Sequence, residues 1–170
     1  MLEITQQQLP EFAKDVRLNL IKVLDLTQTD GLTEQQIIGS ALAVAYHLGD
    51  KLIVADLLEL CKEEKIQGTA KLAASLMAMT NIYYRFIHLS EHEELTQVPA
   101  GLRMQGMMNP GIDRLTFEIL SLAVSILNGC GACISSHTRQ LRGNGVSSQG
   151  LARIGRIAAV IHAAHVCLNL

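Results

Sequence analysis

Cys130 and Cys133, with Gly131 and Ala132 between them, are followed four residues later by His137 and preceded by Glu118. Two thiols spaced Cys-x-x-Cys at the start of a helix come close enough for a small-loop disulfide. The backbone NH groups and positive dipole end of the helix also favour thiolate there. Gly129 and Gly131 flank Cys130, which permits a tight entry and leaves little bulk between its sulfur and a substrate. His137 stands at i+4 from Cys133, on the same helical face, where a neutral imidazole can take the thiol proton. Glu118 lies one helix earlier, and its i+4 and i+7 neighbours Leu122 and Ser125 make a mainly apolar stripe. Burial there is expected to raise the Glu118 pKa, so that the carboxyl acts as a general base or holds His137 in one tautomer.

A metal reading competes with this one. Cys130, Cys133 and His137 could be three zinc ligands, with Cys167, His162 or His165 as the fourth, making a zinc-stabilised helical interaction module. Structural zinc sites usually carry a second ligand pair at a recognisable spacing, and His162-x-x-His165 fits loosely. Those two histidines read better as ordinary helix residues, and no metal is assigned. Cys61 and Cys167 occupy apolar periodic positions and read as buried, inert thiols. Met104, Met107 and Met108 read as packing around a loop, and His88 and His92 as surface residues.

The charge is unevenly placed. Residues 1–118 hold ten Lys and Arg against all sixteen acids, whereas residues 119–170 hold Arg139, Arg142, Arg153 and Arg156 and no acid. These arginines coincide with the cysteine pair, and are expected to help depress the Cys133 thiol pKa. The total is −2, with a pI near 6.3, which gives no electrostatic reason to expect nucleic acid or an anionic membrane as partner. The first residues lack the basic start and apolar stretch of a secretory signal, so a cytoplasmic location is expected. In that compartment four cysteines are not a structural disulfide framework.

The elements that must position these side chains read as helices, and no segment reads as a strand. At 170 residues, rich in Ala, Leu, Ile and Met, the chain suits one all-α domain. Phe12, Val16, Leu20 and Leu24 recur along one helix face after Pro10. Thr33 with Gln36 makes a capping box for a helix to about Leu48, before Gly49. Leu52 to Leu60 and Leu72 to Leu89 continue the pattern, with apolar stretches of about 13 residues where a membrane span needs ~20. A Pro/Gly-rich connector over about 96–113 separates this half from a second. There, helices are predicted from about Asp113 to Leu127, from the break at Asn128-Gly129 to about Arg142, and from Ser147 onward.

The halves match at an offset of 80. ALAVAYHLG (41–49) lies over SLAVSILNG (121–129), with Leu42, Ala43, Val44 and Gly49 on Leu122, Ala123, Val124 and Gly129. Pseudo-repeats of about 34–89 and 114–169 follow. Asp50, Ile53, Leu57 and Ile38 then occupy the places of Cys130, Cys133, His137 and Glu118, and the first half is an inactive structural copy.

The run from Glu118 through Asn128-Gly129-Cys130, Cys133 and His137 resembles the signature of the alkylhydroperoxidase D family, within the carboxymuconolactone decarboxylase-like superfamily. The resemblance extends over the whole chain in length, helical duplicated plan, connector and motif position. It implies an antioxidant enzyme that reduces alkyl hydroperoxides and regenerates a two-cysteine peroxiredoxin. A dihydrolipoamide-type donor, carried on a lipoyl-bearing protein, would supply the electrons, with no bound cofactor and a homo-oligomer, trimer favoured. By the same resemblance Cys133 becomes the sulfenic acid, Cys130 donates a proton and closes the disulfide, and Glu118 and His137 form the proton relay. Family members often carry a histidine between the cysteines, where this chain has Ala132. The relay is then shorter or water-mediated here, and the peroxidase rate is the property touched. The rival enzyme reading is a general dithiol-disulfide reductase with little peroxidase activity; a decarboxylase has no use for a redox pair.

Overall fold

The computed structural model describes residues 2–170, and among them the regular structure is helical, with no strand. In chain order the helices are α1 (Glu3–Gln8), α2 (Lys14–Val23), α3 (Glu34–Leu48), α4 (Lys51–Leu60), α5 (Glu64–Leu89), α6 (Glu93–Gln97), α7 (Arg114–Leu127), α8 (Gly131–Gly143) and α9 (Ser148–Leu168). The short α1 and α6 were not predicted, since neither is long enough to show a helical period. The first predicted helix is also shorter than its periodicity suggests. Residues Glu11–Ala13 form a 3₁₀ turn, and Phe12 points outward, 70% exposed, while Leu20 and Leu24 are buried as expected.

The helix starts are set by side-chain caps. Thr33 and Gln36 form the reciprocal capping box at α3, Asp113 accepts from the Thr116 N–H at α7, and Ser147 accepts from Gly150 N–H at α9. Each cap satisfies N–H groups that the first turn leaves without partners.

Helices α3 and α7 form the centre. Every residue of Gln36–Ala45 on α3 and of Thr116–Ser125 on α7 is buried, as expected where partners cover all sides. Helix α3 packs on α4, α5, α7 and α9, and α7 packs on α8, α9, α3 and α5. Exchanging α3, α4 and α5 for α7, α8 and α9 therefore leaves this set of contacts unchanged. Where the two central helices meet, Gln36 Nε2 donates to Thr116 Oγ1 at 3.1 Å, a bond between positions 80 residues apart.

The apolar α9 is long enough to cross a membrane by length and composition. In this fold its inner residues Ile154, Ile157, Ala158 and Ile161 are buried in the bundle core.

Candidate active site

The turn between α7 and α8 places the cysteines. Gly129 adopts φ 62°, a left-handed conformation that suits glycine. Cys130 N–H then donates to Ser125 O at 3.3 Å, closing the end of α7. Cys130 is the N-cap of α8, and its sulfur accepts from the Cys133 N–H at 3.4 Å. The two sulfurs lie against each other, with Cα atoms 5.3 Å apart, within the usual disulfide range. Cys130 has no exposed surface and Cys133 is 9% exposed, so a reagent arriving from solvent meets Cys133.

His137 follows one turn later on the same helix and is buried. Its Nδ1 lies 2.5 Å from Glu118 Oε2, so α7 and α8 bring together the carboxyl and imidazole that the sequence places 19 residues apart. Arg114, one turn before Glu118 on α7, sets Nη2 2.7 Å from the other carboxyl oxygen, Oε1.

The expected rise of the Glu118 pKa is corrected by these neighbours. Burial does push it up, but the hydrogen bond and charge of His137, then the charge and hydrogen bond of Arg114, outweigh burial and hold the carboxyl below its usual range. Glu118 is thus anionic at neutral pH. It accepts the Nδ1 hydrogen of His137, which leaves Nε2 as the basic nitrogen.

Cys133, His137, Glu118 and Arg114 line one cavity of about 310 Å³. Its remaining wall is largely apolar, with Met77, Thr80 and Tyr84 from α5, Met104 and Met107 from the connector and Ala132 from between the cysteines, joined by Ser136 and Gln140 of α8. Two of the three connector methionines therefore face the site rather than filling gaps, and Met108 is 76% exposed. Ala132 also lines a neighbouring cleft with His88 and His92, both exposed as expected.

Other expectations are revised. Arg153 and Arg156 do not act on the thiols. Arg153 is buried and donates to the carbonyls of Val23, Asp25 and Gln28, pinning the loop between α2 and α3, and Arg156 pairs with Asp30 in the same loop. Arg139 and Arg142 line a groove on α8 with Gly131 and Ile134, apart from the cavity that Cys133 faces. Cys61 is buried and its thiol is pushed up by burial, but Cys167 is half exposed. His165 is not an ordinary helix residue, because its Nδ1 lies 2.8 Å from Asp50 Oδ2. No three His, Cys, Asp or Glu side chains among the described residues are arranged to hold a metal ion.

The residues that sequence reasoning passed over lie chiefly on α5. Arg85 Nη1 donates to Asn128 O at 2.6 Å, and Asn128 Nδ2 donates to Asn81 Oδ1 at 3.1 Å. Asn81 Nδ2 in turn donates to Ser125 Oγ at 3.0 Å. This chain of bonds braces the turn that presents Cys130. Nothing in the linear sequence relates residues 81 and 85 to 128. Arg114, by contrast, had a signal: it stands at i−4 to Glu118, the spacing of a helical ion pair.

Comparison with known proteins gives the chain its family. A profile of the Carboxymuconolactone decarboxylase family matches residues 93–169, a span that holds the whole Glu118–His137 constellation. Alkyl hydroperoxide reductase AhpD of Coxiella burnetii is 45% identical over 165 residues, covering 95% of this chain and 93% of that protein. The proteins of the same name from Azorhizobium caulinodans and Frankia alni are 43% and 41% identical, over 99% and 96% of this chain and 93% and 89% of theirs. The chain belongs to the alkyl hydroperoxide reductase AhpD family. Membership agrees with the resemblance read from Glu118, Cys130, Cys133 and His137, and with the all-helical fold.

Proposed function

We propose that this protein is an antioxidant peroxidase that reduces alkyl hydroperoxides through Cys133 and Cys130. The observation that carries the reading is the buried Glu118–His137 pair in the same cavity as Cys133, with the Cys130 sulfur against it. The related proteins are named alkyl hydroperoxide reductases, which supports the same reaction class here.

In the dithiol form, His137 Nε2 takes the Cys133 proton while Glu118 holds Nδ1 and balances the imidazolium. The thiolate attacks the outer peroxide oxygen, the O–O bond breaks, and the alkoxide leaves as alcohol with a proton supplied by Cys130 or by the imidazolium. Cys133 is then a sulfenic acid. Attack by Cys130 sulfur releases water and closes the disulfide, so two electrons have passed from the thiol pair to the peroxide. A dithiol donor of the dihydrolipoamide type, carried on a lipoyl-bearing protein, returns them by exchange through a mixed disulfide. With Ala132 between the cysteines, proton delivery runs through His137 and water. Regeneration of a two-cysteine peroxiredoxin uses the same exchange chemistry. Exposed Ile82, Phe86 and Leu89, on one face of α5, support assembly as a homo-oligomer, and the family resemblance alone favours a trimer.

The second reading is a dithiol-disulfide reductase that reacts poorly with peroxide. It is favoured by the pair's place at the start of α8, with Cys133 toward solvent and the Cys130 sulfur against it, which serves exchange without any relay. Hydroperoxide consumption by the purified protein, supplied with dihydrolipoamide, separates the two. Turnover that is lost in Cys133→Ser and Cys130→Ser supports the peroxidase. Disulfide exchange without peroxide loss supports the reductase, and thiols left unchanged by both peroxide and a disulfide substrate overturn both.

A further inference from the structure

The end of the connector lies against the cavity as a strap fastened at three points. Gly106 sits so close to α5 that a Cβ there would meet Leu72 Cδ1 at 2.9 Å. Thr69 Oγ1, also on α5, donates to Pro110 O at 2.9 Å. The third fastening is on α7, where Arg114 Nη1 donates to Met107 O at 2.6 Å. The same guanidinium reaches Glu118 Oε1 through Nη2. One planar fork therefore joins the wall that carries Met104 and Met107 to the carboxylate that orients His137.

We propose that Arg114 is a positioning residue that sets the shape of the peroxide cavity by clamping the strap to the relay carboxylate. The proposal rests on the reading of this cavity as the hydroperoxide site. Arg114 is half exposed and on its own would be free to swing, whereas Glu118 is 4% exposed and fixed by His137. The buried carboxylate anchors the guanidinium, and the guanidinium anchors the strap. Glu118 thus governs both the proton relay and, at one remove, the fit of the substrate's apolar part. A lysine could meet either acceptor but lacks the rigid fork that holds both.

Hydrogen exchange of the Met107 and Met108 amides, which donate to Met104 and Gln105 carbonyls, reports on the strap without requiring peroxidase activity. Both Arg114→Met and Glu118→Gln are expected to speed exchange there about tenfold or more, the loss of roughly one charged hydrogen bond. The double variant should add little, and Arg114→Lys should fall between. Among the described residues Glu118 pairs with His137 and Arg114 and makes no hydrogen bond to the strap, so the polar link from Glu118→Gln to these amides runs through Arg114. In turnover, Arg114→Met should raise KM for cumene hydroperoxide about fivefold and leave KM for tert-butyl hydroperoxide nearly unchanged, with partial rescue by lysine. Unchanged strap exchange in Glu118→Gln would overturn the clamp, even if Arg114→Met does not fold. Equal changes for the two peroxides would overturn the role in cavity shape, reducing Arg114 to a charge beside the relay. A protein without peroxidase activity that still shows coupled exchange would keep the clamp and sink the peroxidase reading.

Discussion

The two halves of the molecule build the same turn twice and put different chemistry in it. In each, a central buried helix ends at a glycine of positive φ, Gly49 or Gly129. The next residue then closes the helix end by donating to a carbonyl five residues back, Asp50 to Ala45 and Cys130 to Ser125. That residue also caps the following helix: Asp50 Oδ1 accepts from Leu52 and Ile53 N–H, where Cys130 Sγ accepts from Cys133 N–H. Three residues on, the inward position holds Ile53 in one half and Cys133 in the other, then Leu57 against His137, while Ile38 faces Glu118 across the match. Burial runs in step from Gln36–Asp50 to Thr116–Cys130. The two halves thus share a scaffold at these positions, and only the second carries the Cys, His and Glu set. On the proposed reading the backbone does not make this site reactive; four side chains do, in a frame that holds Asp50 and three apolar residues at the matching positions of the first half.

Moving the chemistry gives the largest expected effect. Cys133→Ser should lower hydroperoxide turnover on the order of 10³-fold or more, because no other group in the cavity can take its place as nucleophile. In a Cys130→Ser, Cys133→Ser background, Asp50→Cys with Ile53→Cys should recreate the pair in the first half. Mass spectrometry should then find the loss of two hydrogens on mild oxidation, while hydroperoxide consumption stays at background, since Ile38 and Leu57 supply no relay. Turnover by the transplanted pair would show that the turn alone suffices.

The relay is the next largest. His137→Ala should slow thiolate-dependent reaction with peroxide about 10²-fold near pH 6 to 7, and less near pH 9, where solvent removes the thiol proton. Glu118→Gln should act in the same direction, and in the double variant the losses should fall well short of additive. The check is the pH dependence of alkylation and peroxide reaction in a Cys130→Ser background. An unchanged neutral-pH rate without His137 would leave helix α8 as the sole source of activation.

Most of this frame was legible in the linear sequence because its signals are local. The Thr33/Gln36 box, Gly49, Gly129 and the Cys-x-x-Cys-to-His spacing all act within a few residues, and each marks an element boundary or face that the fold keeps. Glu118 and His137 were legible as partners through their types and burial. The charge state of Glu118 was not, because burial was visible in the stripe around it while the opposing contact with Arg114 needed the i−4 position to be read as part of the site. Arg153 shows the opposite failure: charge counted along the chain suggested the cysteines, but its side chain reaches back to carbonyls 125–130 residues away. The α5 bracing by Asn81 and Arg85, and the Met104 and Met107 wall, depend on packing between distant segments and leave no local trace.

The matching positions 85 and 165 offer a smaller test. Arg85 of α5 reaches the turn of the second half through Asn128 O, and His165 of α9 reaches the turn of the first half through Asp50 Oδ2. Arg85→Met should cost about 1.5–3 kcal/mol in denaturant unfolding, the range for a hydrogen bond to a charged group, and should also reduce turnover. His165→Ala should cost about 1 kcal/mol or less and leave turnover unchanged, since its turn presents no thiol. Equal effects on turnover would mean that the braces act on the fold and not on the Cys130 turn.

The smallest effect separates Glu118 from Ile38 by acid. The Glu118 carboxyl is held below its ordinary value of 4.5 in the folded protein, so the unfolded chain binds its proton more readily than the folded one. Its contribution to stability is therefore fully present above about pH 4.5 and is lost as the pH falls through the lowered folded-state value. Ile38, at the matching position, carries no such dependence. Glu118→Gln should accordingly flatten the acid limb of stability against pH below about 4.5, beyond any loss it causes at neutral pH, whereas Ile38→Val should shift the whole curve down without changing its slope. Arg114→Met should give a partial flattening, because it removes one of the two cations that lower the carboxyl and leaves His137 in place. Urea unfolding at a series of pH values reads all three. An equally steep acid limb in Glu118→Gln would mean that burial cancels its two partners, and a steeper one that burial prevails and the carboxyl has the raised pKa expected from its apolar stripe.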